Sequence, residues 1–225
     1  MKFIVHAILT LLIFLNVSQA ADDFVAVVIK SKGKVTLTRP GENRTWKAEK
    51  GMVIRSGDRI ETGVASFCAI KFLDDKSLLR IKEKSECVVE GKKEQGRIDK
   101  NIFVEVGSFF ASIFKQRGQF LITTPTSVAS VKGTKFWTLQ HRNGPTTYIG
   151  IEGLIDISNK GGRILLRAGQ TGIVKDKNTP PIARLTNPDE VPLEEEGDEN
   201  RQFIEIEFRD ADGKRKVMKI EVWKK

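Results

Sequence analysis

The sequence predicts an all-β protein, and three features of residues 24–174 carry this prediction. Short runs of about four to eight residues alternate β-branched or aromatic residues with polar ones, which is the period-two pattern of half-buried strands. Glycine, proline or charged residues interrupt these runs about every ten residues, as turns do. No stretch of these residues combines helical periodicity with helical length. This spacing favours a sandwich, a barrel or a solenoid over alternating strands and helices.

The first two predicted strands, Phe24 to Lys30 and Lys34 to Arg39, form a hairpin around Ser31-Lys32-Gly33. The strands that follow are predicted, in chain order, at Arg59 to Glu61, Ser66 to Leu73, Ser77 to Ile81, Glu86 to Glu90, Ile102 to Val106, Phe109 to Phe114, Gln119 to Thr123, Lys135 to Gln140, Thr146 to Ile151, Leu154 to Ser158, Arg163 to Leu166 and Thr171 to Val174.

Turn-forming residues separate several of these strands. Asp58 and the pair Asp74-Asp75 are of the type whose carboxylate bonds the backbone two residues further on. We expect the Asp74-Asp75 carboxylates to be exposed and to have ordinary acidity. Gly63 and Gly133 are candidates for a positive φ.

The first 20 residues predict a cleavable signal peptide. Lys2 is a short positive region, Phe3 to Leu15 is almost entirely apolar, and Ser18-Gln19-Ala20 places small residues at a signal peptidase site. We therefore expect a mature chain that begins at Ala21, is exported to the periplasm or secreted, and has no transmembrane segment, since a stable span needs about 20 apolar residues.

Two cysteines, Cys68 and Cys87, remain after this cleavage. Cys68 lies on the same, inward face of its predicted strand as Ile70 and Phe72, and Cys87 lies on the same face as Val89. An even number of cysteines in an oxidising compartment favours a disulfide, whereas two buried thiols are the alternative. The spacing is not that of a redox-active CxxC pair.

The C-terminal region predicts a linker and a hairpin. Residues 185–200 hold seven acidic residues and no base, after the proline-rich break at 179–181, and are predicted to link a β domain at 21–184 to residues 201–225. In the last segment apolar residues alternate on both sides of Asp212-Gly213, which predicts a β-hairpin. Its predicted apolar face, which docks on the core or binds a partner, consists of Ile204, Ile206, Phe208, Met218, Ile220 and Val222. Placing Phe208 opposite Met218 predicts a loop of about three residues.

Five segments, taken together, resemble the FecR domain family. They are GMVIRSGDRIETG at residues 51–63, AIKFLDDKSLLRI at 69–81, TPTSVASVKGTKF at 124–136, GIEGLIDI at 150–157 and LRAGQ at 166–170. The resemblance implies a compact, twisted, β-solenoid-like or rolled sheet of many short strands. Family members that signal carry a cytoplasmic anti-sigma segment and a transmembrane helix before this domain. With a signal peptide there instead, we expect a free-standing extracytoplasmic domain.

The charge of the chain is segregated. Residues 21–184 hold 29 basic and 17 acidic residues, whereas residues 185–200 are purely acidic in their charge. A basic domain is able to meet an anionic polysaccharide or an acidic partner, although basic strand faces also serve simply to keep sheet edges soluble. Export argues against nucleic acid as the partner. The acidic segment is also able to fold back on the basic domain.

Nothing in the sequence predicts an enzyme, a cofactor or a metal site. His141 is the only histidine after residue 20 and lies in the polar segment HRNGP at 141–145. One histidine and two separated cysteines do not make a zinc set. The predicted function is therefore that of a non-enzymatic extracytoplasmic module that binds an envelope protein in envelope assembly or signalling. Binding of an anionic glycan or wall polymer through the basic domain is the alternative.

Overall fold

The structure, a computed structural model, describes the backbone of residues 24–113, 117–192, 201–209 and 215–223, and the side chains of the first two ranges. These residues form seventeen β-strands and one short 3₁₀ helix, so the all-β prediction is confirmed. Fifteen of the strands join in one open sheet, and the solenoid-like shape is not confirmed. No helix in the described ranges is long and apolar enough to cross a membrane.

The strands occupy, in chain order, β1 Phe24–Lys32, β2 Val35–Thr38, β3 Thr45–Lys47, β4 Val53–Arg55, β5 Asp58–Thr62, β6 Phe67–Phe72, β7 Leu78–Ile81, β8 Glu86–Glu94, β9 Arg97–Ser112, β10 Phe120–Thr123, β11 Val128–Gln140, β12 Thr146–Asn159, β13 Gly162–Arg167, β14 Gln170–Val174, β15 Ile182–Leu185, β16 Arg201–Arg209 and β17 Arg215–Trp223.

The large sheet consists of two rows of strands that share three long strands. One row runs β4-β1-β6-β7-β9-β11-β12-β14-β15, and the other runs β3-β2-β5-β8-β9-β10-β11-β12-β13. Strands β9, β11 and β12 belong to both. Pairing is antiparallel throughout this sheet except between β9 and β10, which are parallel. The predicted hairpin of the first two strands is wrong, because β1 pairs with β4 and β6, whereas β2 pairs with β3 and β5.

Each shared strand contains a glycine with positive φ where it passes from one row to the other. These glycines are Gly107 in β9 (φ 115°), Gly133 in β11 (φ 61°) and Gly153 in β12 (φ 82°). Residues before Gly107 pair with β8 and β10, and those from Gly107 onward pair with β7 and β11. Glycine allows this bend because it lacks the Cβ that makes positive φ costly. The prediction for Gly133 is confirmed; Gly63 does not have a positive φ.

The bends place one continuous core between the two rows. A single cluster of buried apolar side chains takes members from both, and the rings of Phe72 in β6 and Phe120 in β10 meet edge to face at 5.6 Å between centroids. Burial of this apolar area is the main stabilising contribution to such a fold. A smaller buried cluster of Phe110, Trp137 and Ile149 lies on the outer side of the first row.

The first half of the predicted acidic linker packs on the domain. Strand β15 ends at Leu185, a 3₁₀ turn follows at Pro188–Glu190, and Val191 packs against the Phe110 and Trp137 cluster. The Thr186 N–H donates to Gly169 O at 2.9 Å, which ties this segment to the turn before β14. The predicted linker residues 193–200 and the predicted signal peptide 1–20 lie outside the described residues.

The C-terminal hairpin exists, as a separate two-stranded sheet of β16 and β17. Its predicted register is wrong by two residues: Phe208 pairs with Lys216, Ile206 with Met218 and Ile204 with Ile220. The ladder ends at the pair Arg209 and Arg215, which leaves five residues for the turn instead of about three. Side chains of residues 201–225 lie outside the description, so the predicted apolar face of this hairpin stays a prediction.

Candidate functional site

A fully buried lysine is the main charged feature of the interior. Lys100 lies in β9 on the same face as Ile98 and Ile102, which point into the core, and its side chain is 0% exposed. The Nζ atom lies 2.8 Å from Asp74 Oδ2 and 2.8 Å from Asp75 Oδ2. It also donates to the backbone oxygens of Ile98 at 3.0 Å and of Arg117 at 3.3 Å. This is a desolvated cation held by two carboxylates, which we call the Lys100 centre.

The two carboxylates of the Lys100 centre are held differently. Asp75 accepts hydrogen bonds from the N–H of Ser77 on Oδ1 at 2.9 Å and from Lys100 on Oδ2. Burial alone would raise the pKa of Asp75, but these hydrogen bonds outweigh it, and the pKa lies below its ordinary value. Asp74 Oδ2 accepts from Lys100 and from the Ile98 N–H at 2.9 Å, while Asp74 Oδ1 is buried without a hydrogen-bond partner among the described residues.

The prediction that the Asp74-Asp75 carboxylates are exposed is therefore wrong. The turn was predicted correctly, and Asp75 bonds the backbone two residues on, at Ser77, as expected of its type. What the local sequence does not show is that the turn packs over the start of β9, where Lys100 lies 26 residues further along the chain. The available signal was Lys100 itself, a charged residue on the inward parity of a strand.

A second buried polar network lies where the segment TPTS at 124–127 meets the start of β12. Thr124 Oγ1 lies 2.9 Å from Thr146 Oγ1, and Ser127 Oγ lies 3.0 Å from Tyr148 Oη. Thr146 also donates to Gln140 Oε1. Burial raises the pKa of Tyr148 to about 12, although hydrogen bonds with Ser127 and Thr124 oppose this. The network is one of neutral hydroxyl and amide groups that bond one another, which is a structural arrangement.

The outward side of the three strands β11, β12 and β13 is an exposed apolar and basic surface, which we call the β11–β13 outer face. Val128, Leu154 and Leu165 are 36%, 42% and 49% exposed, although all three lie within regular strands. Exposed basic residues surround them at Lys132, Arg163 and Arg167.

Pairing brings these residues of the outer face together. Leu154 lies between Lys132 on β11 and Arg167 on β13, and Leu165 pairs with Asp156, which accepts a hydrogen bond from Arg163 Nε at 2.6 Å. An exposed apolar group rimmed by charge on a rigid sheet is typical of a protein-binding surface.

A cation–aromatic group lies at the other end of the second row. The guanidinium of Arg44 lies 3.9 Å from the centroid of the Trp46 ring and that of Arg39 lies 5.5 Å from it. The Trp46 indole N–H donates to Glu42 Oε2 at 3.1 Å. Arg39 Nε is buried without a hydrogen-bond partner in the described part of the chain. Two guanidinium groups on one ring form a site with positive charge beside an aromatic surface.

Both cysteines are buried free thiols. Cys68 in β6 and Cys87 in β8 enter the core from different rows. Burial raises the pKa of Cys68 to about 12, and burial together with the nearby Cys68 raises that of Cys87. Of the two possibilities that the sequence offers, the structure has the two buried thiols. A disulfide that forms after export stays a prediction.

His141 is exposed in the turn after β11, as its polar neighbours indicate. In the described ranges, no group of three or more histidine, cysteine, aspartate or glutamate side chains is arranged to hold a metal ion. One open groove on the surface follows Leu73, Asp74, Gly96 and Ile98 past the Lys100 centre.

Comparison with known proteins gives one family. Residues 58–156 match the family model described as FecR protein. Two crystal structures of a proposed anti-sigma factor from Parabacteroides distasonis ATCC 8503, at 2.50 and 1.65 Å resolution, are similar with TM-scores of 0.49 and 0.48. Their identities are 12% and 14%, over 57% of this chain, and the chain spans about 60% of the length of each structure. No curated protein matches the chain significantly.

Proposed function

We propose that this chain, whose residues 58–156 belong to the FecR family, is a non-enzymatic module that binds another protein of the cell envelope in signalling or envelope assembly. The observation that carries the proposal is the β11–β13 outer face. Its apolar side chains Val128, Leu154 and Leu165 stay exposed although their strands are paired in the sheet. A surface of this kind binds a partner through its apolar centre, while its basic rim selects an acidic partner surface.

The chemistry of the described side chains supports a binding role over catalysis. The two thiols are buried, and their raised pKa values keep them protonated and unreactive near neutral pH. His141 lies in an exposed turn, and the Asp74 and Asp75 carboxylates are held by Lys100 inside the protein. The buried thiols and carboxylates are thus shielded from an external substrate, which the nucleophile and base of an enzyme must reach.

We place this module outside the cytoplasm on the strength of its N-terminal sequence. A positive residue at Lys2, an apolar run and the small residues Ser18 and Ala20 support export and cleavage before Ala21. Expression of the full chain, followed by fractionation and N-terminal sequencing, tests this: a periplasmic or secreted chain that begins at Ala21 is expected. An uncleaved chain in the cytoplasm would contradict it.

Site-specific photocrosslinking in intact cells tests the protein-binding proposal. A photoreactive amino acid replaces Leu165 on the outer face or, as a control, Val64, which is 71% exposed in a loop and therefore more accessible than Leu165. We expect one defined protein adduct from position 165, none from 64, and loss of the adduct when Leu154→Asp is added. No adduct at 165, or the same adducts from both positions, would overturn the proposal.

The C-terminal hairpin is the other candidate contact, and truncation separates it from the outer face. The same Leu165 crosslinking in a chain that ends at Pro192 retains β11, β12, β13 and the packed segment that includes Val191, but lacks residues 201–225. An adduct that persists assigns binding to the outer face. An adduct that needs the hairpin assigns it instead to the face predicted at Ile204, Ile206, Phe208, Met218, Ile220 and Val222.

An anionic glycan or wall polymer is the second candidate ligand, and the Arg39–Trp46–Arg44 group supports it. The Trp46 ring holds the guanidinium groups of Arg44 and Arg39 close together, and such groups bind carboxylate or phosphate. Sedimentation with wall polymer or lipopolysaccharide tests this: Arg44→Gln should weaken binding, whereas Lys132→Gln on the outer face should not. If both variants lose binding equally, and salt abolishes the binding that remains, the interaction is a diffuse charge effect without a site.

A further inference from the structure

The Lys100 centre holds an amine and two carboxyl groups in direct contact and away from water. The side chains of Lys100 and Asp75 are 0% exposed and that of Asp74 is 4% exposed. Lys100 Nζ lies 2.8 Å from an oxygen of each carboxyl group. Such proximity replaces an encounter in solution with an intramolecular reaction, for which effective concentrations reach about 10⁵–10⁸ M in favourable geometry.

The environment of the centre disfavours water. The Phe72 ring centroid lies 5.5 Å from Lys100 Nζ, and Phe120 packs edge to face on Phe72. An amide and a water molecule are the neutral products of condensing an ammonium with a carboxylate. Because a low-dielectric site disfavours charged groups and excludes bulk water, it favours these neutral products.

The two aspartates differ in a way that assigns them different roles. Asp75 is fixed at both oxygens, by Ser77 N–H on Oδ1 and by Lys100 on Oδ2. Asp74 is held only through Oδ2, and its Oδ1 is buried without a hydrogen-bond partner among the described residues. Asp75 Oδ2, at 2.8 Å from Nζ, is thus placed to relay a proton, which its lowered pKa makes it release again, while Asp74 has an oxygen that is able to leave.

We infer that Lys100 and Asp74 condense in the folded protein to an intramolecular amide, with Asp75 as the proton carrier. Asp75 accepts a proton from the Lys100 ammonium, and the freed amine attacks Asp74 Cγ. The C–N bond forms and one C–O bond of Asp74 breaks. The two protons lost by Nζ leave with the Asp74 oxygen as one water, and Asp75 ends as it began. The overall change is ammonium plus carboxylate to amide plus water, with no oxidant or reductant.

The amide joins two elements that are distant in the chain. Asp74 lies in the turn after β6, whereas Lys100 lies in β9, the long strand shared by both rows. The bond therefore links the turn after β6 covalently to β9. Unlike the ion pair, this link is not broken by acid or denaturant.

Intact mass spectrometry of the purified, reduced protein tests the inference directly, and it needs no variant. We expect the mature chain to be lighter than its sequence by the mass of one water. The ion pair alone gives the full sequence mass, and that result, obtained after incubation of the folded protein, would overturn the inference. Reduction beforehand removes the smaller mass change of a Cys68–Cys87 disulfide.

Tryptic mapping locates the bond. Residues 72–76 contain Asp74, and trypsin cannot cut after an acylated Lys100, so we expect a branched peptide of residues 72–76 and 98–115. Fragmentation must place the branch on Asp74; a branch on Asp75 would overturn the assigned roles.

Two variants separate the chemistry from the fold. Asp75→Asn keeps the amine and Asp74 but removes the proton carrier, so the full mass is expected in a chain whose circular dichroism is that of a folded β protein. Lys100→Arg keeps the charge and lacks the nucleophile, and must show the full mass. Loss of water in the folded Lys100→Arg variant would assign the mass change to another site.

Discussion

Lys100 Nζ lies 2.8 Å from Asp75 Oδ2, and both side chains are completely buried. A buried ion pair brings little net stability relative to an apolar core, because desolvation of the ions offsets their attraction. It nevertheless makes the fold depend on each partner, since removal of one leaves the other charge unpaired inside the protein.

We expect Lys100→Met to lower the free energy of unfolding by about 3–5 kcal/mol, because it leaves the buried Asp74 and Asp75 carboxylates without a partner. Loss of the inferred amide acts in the same direction. Urea unfolding near neutral pH measures this. Lys132→Met is the matched control, a lysine-to-methionine change at an exposed strand position of β11, and should leave the urea midpoint almost unchanged. Equal midpoints for the two variants would contradict the dependence of the fold on Lys100.

The acidity of two aspartates predicts pH dependences of opposite sign. Burial raises the pKa of Asp58, although hydrogen bonding by the Arg55 N–H opposes it. The folded state then binds a proton more readily than the unfolded state, whose pKa is about 3.9. Stability from this group therefore increases as the pH falls from neutral through the raised pKa, and levels off below the unfolded value.

Asp176 is expected to act in the opposite direction. The Thr179 hydroxyl and the N–H groups of Asn178 and Thr179 lower its pKa, so its contribution is present above the ordinary pKa and is lost as the pH falls below it. Thermal unfolding across about pH 3–7 measures both effects. As the pH falls, the stability of wild type relative to Asp58→Asn should increase, and its stability relative to Asp176→Asn should decrease. Slopes of the same sign would contradict the assignment.

The thiols give a prediction about access. Because Cys68 and Cys87 are buried and their pKa values are raised, iodoacetamide at about pH 8 should leave both unmodified in the folded protein. Addition of denaturant without reductant should then give two modified cysteines per chain. If the denatured, unreduced protein takes up none, the exported chain carries the disulfide instead.

Much of the fold was predictable because it is encoded in local alternation. The period of two in segments such as those of β6, β7 and β14 records which side chains face the core, and the structure contains each of these strands. The continuity of β9, β11 and β12 was not predictable in the same way. The sequence predicts separate strands at Ile102 to Val106 and Phe109 to Phe114, whereas Gly107 between them bends one continuous strand from one row into the other.

The candidate sites were less predictable than the fold because they depend on contacts between distant residues. The position of Lys100 on an inward parity was a visible anomaly, but its partners come from a turn that local sequence describes only as polar. The β11–β13 outer face arises in the same way: Leu154 and Leu165 become neighbours of Lys132 and Asp156 only through strand pairing.

The bend in β9 predicts that Gly107 tolerates no side chain. A Cβ at this position would collide with Oγ, Cβ and Cα of Ser85, and Ser85 is itself fixed because its Oγ accepts a hydrogen bond from the Ser108 N–H at 3.0 Å. Gly96, in the turn between β8 and β9, also has a positive φ (75°), but a Cβ there would meet nothing within 4 Å. We expect Gly96→Ala to cost about 1–2 kcal/mol from backbone strain alone, and Gly107→Ala to cost about 1–3 kcal/mol more from the collision.

Urea unfolding of the two variants measures the difference, and Ser85→Gly supplies the test of its cause. Replacing Ser85 by glycine removes the two side-chain atoms that a Cβ at position 107 would strike, so Gly107→Ala should cost less in that background than in wild type. The same cost in both backgrounds would show that the Ser85 side chain does not exclude a Cβ at Gly107, and would assign the need for glycine to the φ of 115° and the backbone of residue 85.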